Sequence, residues 1–183
     1  MEPNRIILGI DPGSNLMGYA IIKAEKKLPQ LLEMDIFNMS RLDSHFDKLA
    51  KIFDLTNELI KKFHPDELAI EAPFYGKNIQ SMLMLGRAQG SAIAAALFNK
   101  LPIFEYAPRK IKMSITGQGN ASKEQVALIL QKILNFKEMP SKLDATDGLA
   151  VAVCHYYQNN NSKTTPSFKN WKDFISKNPG RIK

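Results

Sequence analysis

The feature that most restricts the fold of this chain is the order of its short apolar runs. RIILGID (5–11) is β-branched and ends in the turn string PGS. GYAIIK (18–23) follows closely enough to be its hairpin partner, and LLEMDIF (31–37) reads as a third strand. After these the pattern changes. Between Arg41 and Phe63 the apolar positions Leu42, Phe46, Leu49, Phe53, Ile60 and Phe63 recur at three- and four-residue steps, as on an amphipathic helix. ELAIE (67–71) then reads as a strand after the Pro65 break, and 79–99 as a helix rich in Gly, Ala and Ser. PIFEY (102–106) is a fifth strand, and a short helix begins at Pro108. A helix over 122–134 is capped by Ser122, and a last helix spans 141–157. Three hairpin-linked strands followed by strand and helix in alternation predict an α/β fold. Its five-stranded mixed sheet has three antiparallel N-terminal strands plus two parallel ones, with helices on both faces.

With 183 residues, 44% of them hydrophobic, the chain can bury one good core. QNNNSKTTPS, from Gln158, breaks all periodicity, so the expected division is a folded domain over 1–157 and a basic, flexible tail over 158–183, with a short helix possible at 168–176. A single cysteine, Cys154, excludes an internal disulfide and a multi-cysteine zinc site, and fits a reducing, cytoplasmic compartment. The opening apolar run is too short for a signal peptide or a membrane span, and so is 91–98. The net charge of +7 is unevenly spread: from Gln158 onward six basic residues face one acid, a net +5, leaving +2 for residues 1–157. The tail reads equally as a solvated end or as a DNA-contacting arm. A more local basic patch is formed by Arg109, Lys110, Lys112 and Lys123, with no acid between Tyr106 and Lys123.

Four acids point to chemistry. Asp11 and Glu71 each end a hydrophobic run, at the strand ends where ligands of open α/β sheets gather. If their strands are parallel neighbours, the two carboxylates share one rim. Asp144 and Asp147, three apart in KLDATDGLAVAV, share a helix face that can point at the same rim. Four hard oxygen donors without histidine or cysteine suit Mg²⁺ or Mn²⁺ rather than zinc. Each acid also has a plainer reading. Asp11 in DPG is a common turn former, Glu71 a half-exposed strand end, and Asp144 part of a capping arrangement with Ser141. Asp147 fits that reading least, because it stands a turn inside an apolar helix, where an unpaired carboxylate is costly.

Taken together, ILGIDPGSNLMGYAII, AIEAPFYGKN, LGRAQGSAIAAALFNKLPIFEYAPRKIKMSITGQGNASKEQVALIL and LDATDGLAVAVCH resemble the RuvC family of bacterial Holliday junction resolvases, in order and spacing, from about Arg5 to Tyr157. The resemblance implies an RNase H-like fold and a Mg²⁺-dependent endonuclease. It also implies a homodimer making paired nicks in four-way junction DNA, in recombination and repair, beside the RuvA and RuvB branch-migration proteins. By motif position it makes Asp11, Glu71, Asp144 and Asp147 the acidic tetrad, and Lys112 and Lys123 the basic residues needed for cleavage. It makes Phe74 an aromatic in contact with bases near the crossover. Tyr75, Lys77, Arg109 and Lys110 are further candidate DNA contacts. In the chemistry of a two-metal site, Asp11 is the bridging ligand, Glu71 and Asp144 flank it, and Asp147 is a ligand or a base for the attacking water. Ala72-Pro73 stiffens the turn after Glu71 relative to many relatives, and the tail has no counterpart in the resemblance.

Three other readings compete. An ATP-binding fold of the sugar-kinase and actin type also starts with a glycine-flanked aspartate, but needs a second lobe that this length does not supply. A closer rival is another RNase H-like nuclease of the resolvase-like group that does not act on junctions. A non-enzymatic basic DNA-binding module explains the charge and leaves the four acids unexplained.

Overall fold

The structure, a computed structural model, describes residues 4–73, 78–161 and 175. Strands β1 (Arg5–Asp11), β2 (Leu16–Ala24) and β3 (Gln30–Asn38) come first, followed by helix α1 (His45–Phe63), strand β4 (Glu67–Glu71) and helix α2 (Ile79–Phe98). Strand β5 (Ile103–Tyr106) precedes α3 (Pro108–Thr116), α4 (Lys123–Leu134) and α5 (Asp144–Asn161). They build one five-stranded sheet in the order β3-β2-β1-β4-β5. The pairs β1/β2 and β2/β3 are antiparallel; β1/β4 and β4/β5 are parallel. This is the mixed sheet that the apolar runs predict.

Strand alternation divides the interior into two cores. Leu8, Ile10, Leu68 and Ile70 point to one face, where Ile52 and Leu59 of α1 and Ala88 and Ala92 of α2 cover them. Ile7 and Ala69 point to the other, against Ile111 of α3, Leu130 of α4 and Leu149 and Val153 of α5. Helix α5 is apolar nearly all round because the sheet lies on one side and α3 and α4 on the other. Across β2 and β1 its approach depends on missing side chains. A Cβ on Gly148 would stand 2.6 Å from the Tyr19 Cα, and one on Gly18 would run into the Asp144 carbonyl.

Two helix starts differ from expectation. Helix α1 begins at His45 rather than near Arg41, because the Ser44 hydroxyl accepts the Phe46 N–H at 3.2 Å and caps it. Helix α5 begins at Asp144, so Ser141 does not cap it and the Ser141/Asp144 capping arrangement is not formed. The entry turn closes instead through backbone bonds, Ala145 N–H to Lys142 C=O and Thr146 N–H to Leu143 C=O. The Thr146 hydroxyl adds a bond to the same Leu143 carbonyl at 2.6 Å. At its other end α5 runs past Tyr157 to Asn161. Before that last turn the helix is tied to the sheet: His155 Nε2 meets Glu67 Oε2 at 2.7 Å, and Glu67 also holds Arg5 at 3.0 Å. The proposed helix at 168–176, apart from residue 175, and most of the basic tail lie outside the described residues.

Candidate active site

Alternation decides which acids can meet. Leu8 and Ile10 face α1 and α2, so Asp11, one step on, faces α5; Ile70 and Glu71 repeat the pattern on β4. Because β1 and β4 are parallel with Ile10 opposite Ile70, Asp11 and Glu71 end adjacent strands side by side. Gly18 lies opposite Asp11 on β2, and α5 starts directly over it. The glycine contacts therefore bring the first turn of α5, with Asp144 and Asp147, down beside Asp11. The N-terminal end of the helix dipole also favours both carboxylates.

Helix α4 supplies the opposing charge. Ser122 caps it, accepting the Gln125 N–H at 3.3 Å while the Gln125 side chain takes the Ser122 N–H at 2.9 Å. This fixes Lys123 at the first helical position, where its ammonium reaches Asp147 Oδ2 at 2.5 Å and Asp144 Oδ1 at 3.4 Å. Asp11, Glu71 and Asp147 line a cleft of about 560 Å³ together with Arg109, Lys112 and Lys123, over a floor of Ile111, Val126 and Ala150. Asp144 joins this group through Lys123. Lys110 turns away from the cleft lining, with its ammonium 5.1 Å from the centre of the Tyr106 ring. Phe74, Tyr75 and Lys77 lie outside the described residues.

Carboxylates gathered this way resist ionisation. Burial and then the charges of Glu71 and Asp147 push the Asp11 carboxyl well above its ordinary range; Asp144 adds to this and Lys123 opposes it. Burial, then Asp147, pushes Glu71 up to about 7, against Lys123 and Lys112. Asp147 is raised by burial in spite of its bond to Lys123. Burial works against the Lys123 ammonium, yet the Asp147 hydrogen bond and the charges of Asp147, Asp144 and Asp11 outweigh it and raise its pKa. Among the described residues no three acids, histidines or cysteines are drawn close enough to hold an ion as they stand. The donor set nonetheless suits a hard divalent cation, being all carboxylate oxygen with an excess of negative charge that a cation would relieve.

The sequence does not announce Gln89. On α2 it is buried, and its amide nitrogen donates to the Glu71 carbonyl at 3.1 Å and to Glu105 Oε1 at 2.5 Å. The available signal was a polar residue at the buried-face spacing of Ala88, Ala92 and Ala96.

The family model for crossover junction endodeoxyribonuclease RuvC matches residues 7–155. The chain belongs to the RuvC family. The RuvC of Christiangramia forsetii is 54% identical over 183 residues, covering all of this chain and 95% of that protein. That of Cytophaga hutchinsonii is 55% identical over 180 residues, covering 98% of this chain and 89% of the relative. The first of these alignments takes in the tail, so residues 158–183 do have a counterpart among RuvC proteins, contrary to the sequence reading. Among solved structures, Thermus thermophilus RuvC in complex with a Holliday junction substrate superposes with a TM-score of 0.79 at 28% identity, covering 86% of this chain and 97% of that one. The fold is thus the RNase H-like one of RuvC. The matched span contains all four acids and both lysines of the cleft.

Proposed function

We propose that this chain is a structure-selective endonuclease that resolves Holliday junctions by paired, symmetric phosphodiester hydrolysis in homologous recombination and DNA repair. It would work in the cytoplasm as a homodimer with Mg²⁺, beside RuvA and RuvB. The observation that carries the reading is the convergence of Asp11 and Glu71, from neighbouring parallel strands, with Asp147 in one cleft faced by Lys112 and Lys123. The junction as substrate is supported by the RuvC relatives, named as crossover junction endodeoxyribonucleases, and by the junction-bound Thermus thermophilus protein. No described helix is long and apolar enough to cross a membrane.

Asp11, Glu71, Asp144 and Asp147 would hold two Mg²⁺ ions, with Mn²⁺ as a substitute. Bound there, such ions supply charge neutralisation of the phosphodiester and Lewis-acid activation of water and leaving oxygen. Asp11 would be the central ligand, because it ends the middle strand of the sheet, beside Glu71 and under the first turn of α5. Asp147 would either share in holding metal or take the proton of the attacking water. Lys112 and Lys123 face the same cleft and would stabilise the charge that builds on the phosphate. Arg109 lines it too and would position the backbone.

Two opposed strands must be cut, so two copies of one site related by a two-fold axis fit the substrate. Helix α2 offers a face for this. Ile79, Leu83 and Leu97 are exposed along one stripe, and a Cβ on Gly86 or Gly90 would meet open space.

The deciding experiment compares a synthetic four-way junction with linear duplex in Mg²⁺. Wild type should nick the junction symmetrically, and Asp11→Asn, Glu71→Gln and Asp144→Asn should bind it without cutting. Normal cutting by those variants removes the metal-site assignment. Equal cutting of linear duplex removes the junction claim and leaves the nuclease.

A further inference from the structure

The peptide that joins Glu71 to Ala72 is where β4 leaves the sheet, and it is the peptide that aims the Glu71 side chain. Its N–H is satisfied by the sheet: Ala72 N–H donates to the Tyr106 carbonyl at 2.9 Å. No peptide here is cis, so its C=O points the opposite way, toward β1. There the residue after Asp11 is Pro12, which has no N–H to donate. The strand ladder cannot complete itself at Glu71. Gln89 completes it, with its amide nitrogen 3.1 Å from the Glu71 carbonyl oxygen. The same nitrogen is held 2.5 Å from Glu105 Oε1 on β5, a charge-assisted bond that fixes the amide in place. Helix α2 thus reaches over β4 and β5 with one buried polar side chain, among alanines that bury their methyl groups on either side of it.

We infer that Gln89, held by Glu105, is a positioning residue for the active site. It locks the Glu71–Ala72 peptide and thereby fixes the direction in which the Glu71 carboxylate enters the cleft. The inference rests on the reading of Glu71 as a metal ligand. Without the Gln89 bond the carbonyl would lose the donor it has among the described residues, and the strand end would twist to find another. A carboxylate that wanders there meets a cation less well, while the DNA-facing lysines and the α2 outer stripe stay where they are. Partners behind a ligand commonly set metal affinity or activity by about 10- to 100-fold.

The test uses the full chain and four readouts: single-turnover cleavage of a synthetic junction, its Mg²⁺ midpoint, Mn²⁺ binding to DNA-free protein by electron paramagnetic resonance, and junction affinity in EDTA. Gln89→Leu should cut roughly 10- to 100-fold more slowly, with the Mg²⁺ midpoint and the Mn²⁺ dissociation constant raised several-fold. Junction affinity in EDTA should stay within about twofold, as expected when no phosphate contact is lost. Glu105→Gln keeps an acceptor and loses only its charge, so it should shift the same two metal readouts by less. A wild-type Mg²⁺ midpoint and Mn²⁺ affinity in Gln89→Leu overturn the inference, whatever the rate does. If Gln89→Leu does not fold, the exposed Glu105→Gln decides alone, and unshifted metal readouts there overturn it. An inert Glu71→Gln beside an unshifted Gln89→Leu removes this inference only; a fully active Glu71→Gln removes the metal-site reading as well.

Discussion

The Lys123 ammonium lies 2.5 Å from Asp147 Oδ2, so the first residue of α4 is bonded to the first turn of α5 across the mouth of the cleft. Its second contact, to Asp144 Oδ1 at 3.4 Å, makes it a bridge between the two helical acids. A lysine there partly offsets the repulsion among the carboxylates and occupies space that a cation would also seek.

Lys123→Met should therefore separate two roles. Cleavage of a junction should fall by about 100-fold or more, as for loss of one charge that stabilises a transition state. Junction affinity in EDTA should change little, with the salt slope lowered by about 1 at most. Mn²⁺ binding to the DNA-free protein should hold or improve, since an internal competitor is gone. A loss of Mn²⁺ binding as large as in Asp11→Asn would mean that the lysine supports the ion instead.

The raised acids predict an unusual pH profile. Glu71 moves from 4.5 to about 7 on folding, so between those values the folded chain holds a proton that the unfolded chain has released. Stability is then greatest below about pH 4.5 and falls as pH rises toward 7, the reverse of a salt-bridged carboxylate. Asp11 and Asp147 shift in the same direction. Urea unfolding in EDTA at a series of pH values, wild type minus Glu71→Gln, should show this decline, at most about 3 kcal/mol for one such group. A flat difference would mean that folded Glu71 is ionised throughout. Millimolar Mg²⁺ should restore stability at pH 7 in wild type and much less in Asp11→Asn.

What the sequence made legible follows from periodicity. Asp11 and Glu71 could be placed because each ends an alternating strand, and alternation fixes the face on which the last side chain falls. Asp144 and Asp147 could be joined to them because an i, i+3 pair shares a helix face. The start of α5 was misread because Ser141 is a good capping residue, whereas the actual turn is closed by backbone bonds to Lys142 and Leu143, which carry no residue signature. Its end was misread because Gln158 to Asn161 looks like a linker, while His155, held by Glu67 from a strand far off in sequence, ties down the turn before it. Gln89 was missed for a similar reason: its partner is a main-chain carbonyl, which no side-chain pattern reveals.

Gly148 should be intolerant of even one methyl group. Its Cβ would stand 2.6 Å from the Tyr19 Cα and 2.7 Å from the Tyr19 nitrogen, backbone atoms that have nowhere to move in the middle of a sheet. Gly148→Ala should cost about 1–3 kcal/mol as overpacking, read from the urea midpoint. Because relief requires α5 to lift off β2, Asp147 should rise away from Asp11. Cleavage should therefore drop well beyond the unfolded fraction at a temperature where the variant is folded. Activity that tracks only the folded fraction would show that the helix seating does not set the site.

The outer stripe of α2 is apolar and open to solvent. Leu83 is 56% exposed and Ile79 66%, on the face opposite the buried Ala88, Ala92 and Ala95. A charge at Leu83 costs a monomer little, because the side chain already meets water there. In a two-fold dimer packed through this stripe each Leu83 would be buried near its symmetry mate or the facing Gly86, and Leu83→Glu would bury two like charges without partners. The variant should therefore sediment as a monomer at concentrations where wild type is a dimer, with an unchanged circular dichroism spectrum and urea midpoint per folded subunit. Its cleavage should lose coordination, so that single nicks on a supercoiled cruciform accumulate ahead of linear product, whereas a wild-type dimer should cut both strands before it leaves. A dimeric Leu83→Glu that makes paired nicks would place the two-fold contact on another face. The glycines supply an internal control. No described residue comes within 4 Å of a Cβ on Gly90, so Gly90→Ala should leave the isolated fold intact or firmer by up to about 1 kcal/mol. Any weakening of self-association it causes must then come from the contact between helices, where the extra methyl group keeps two backbones apart.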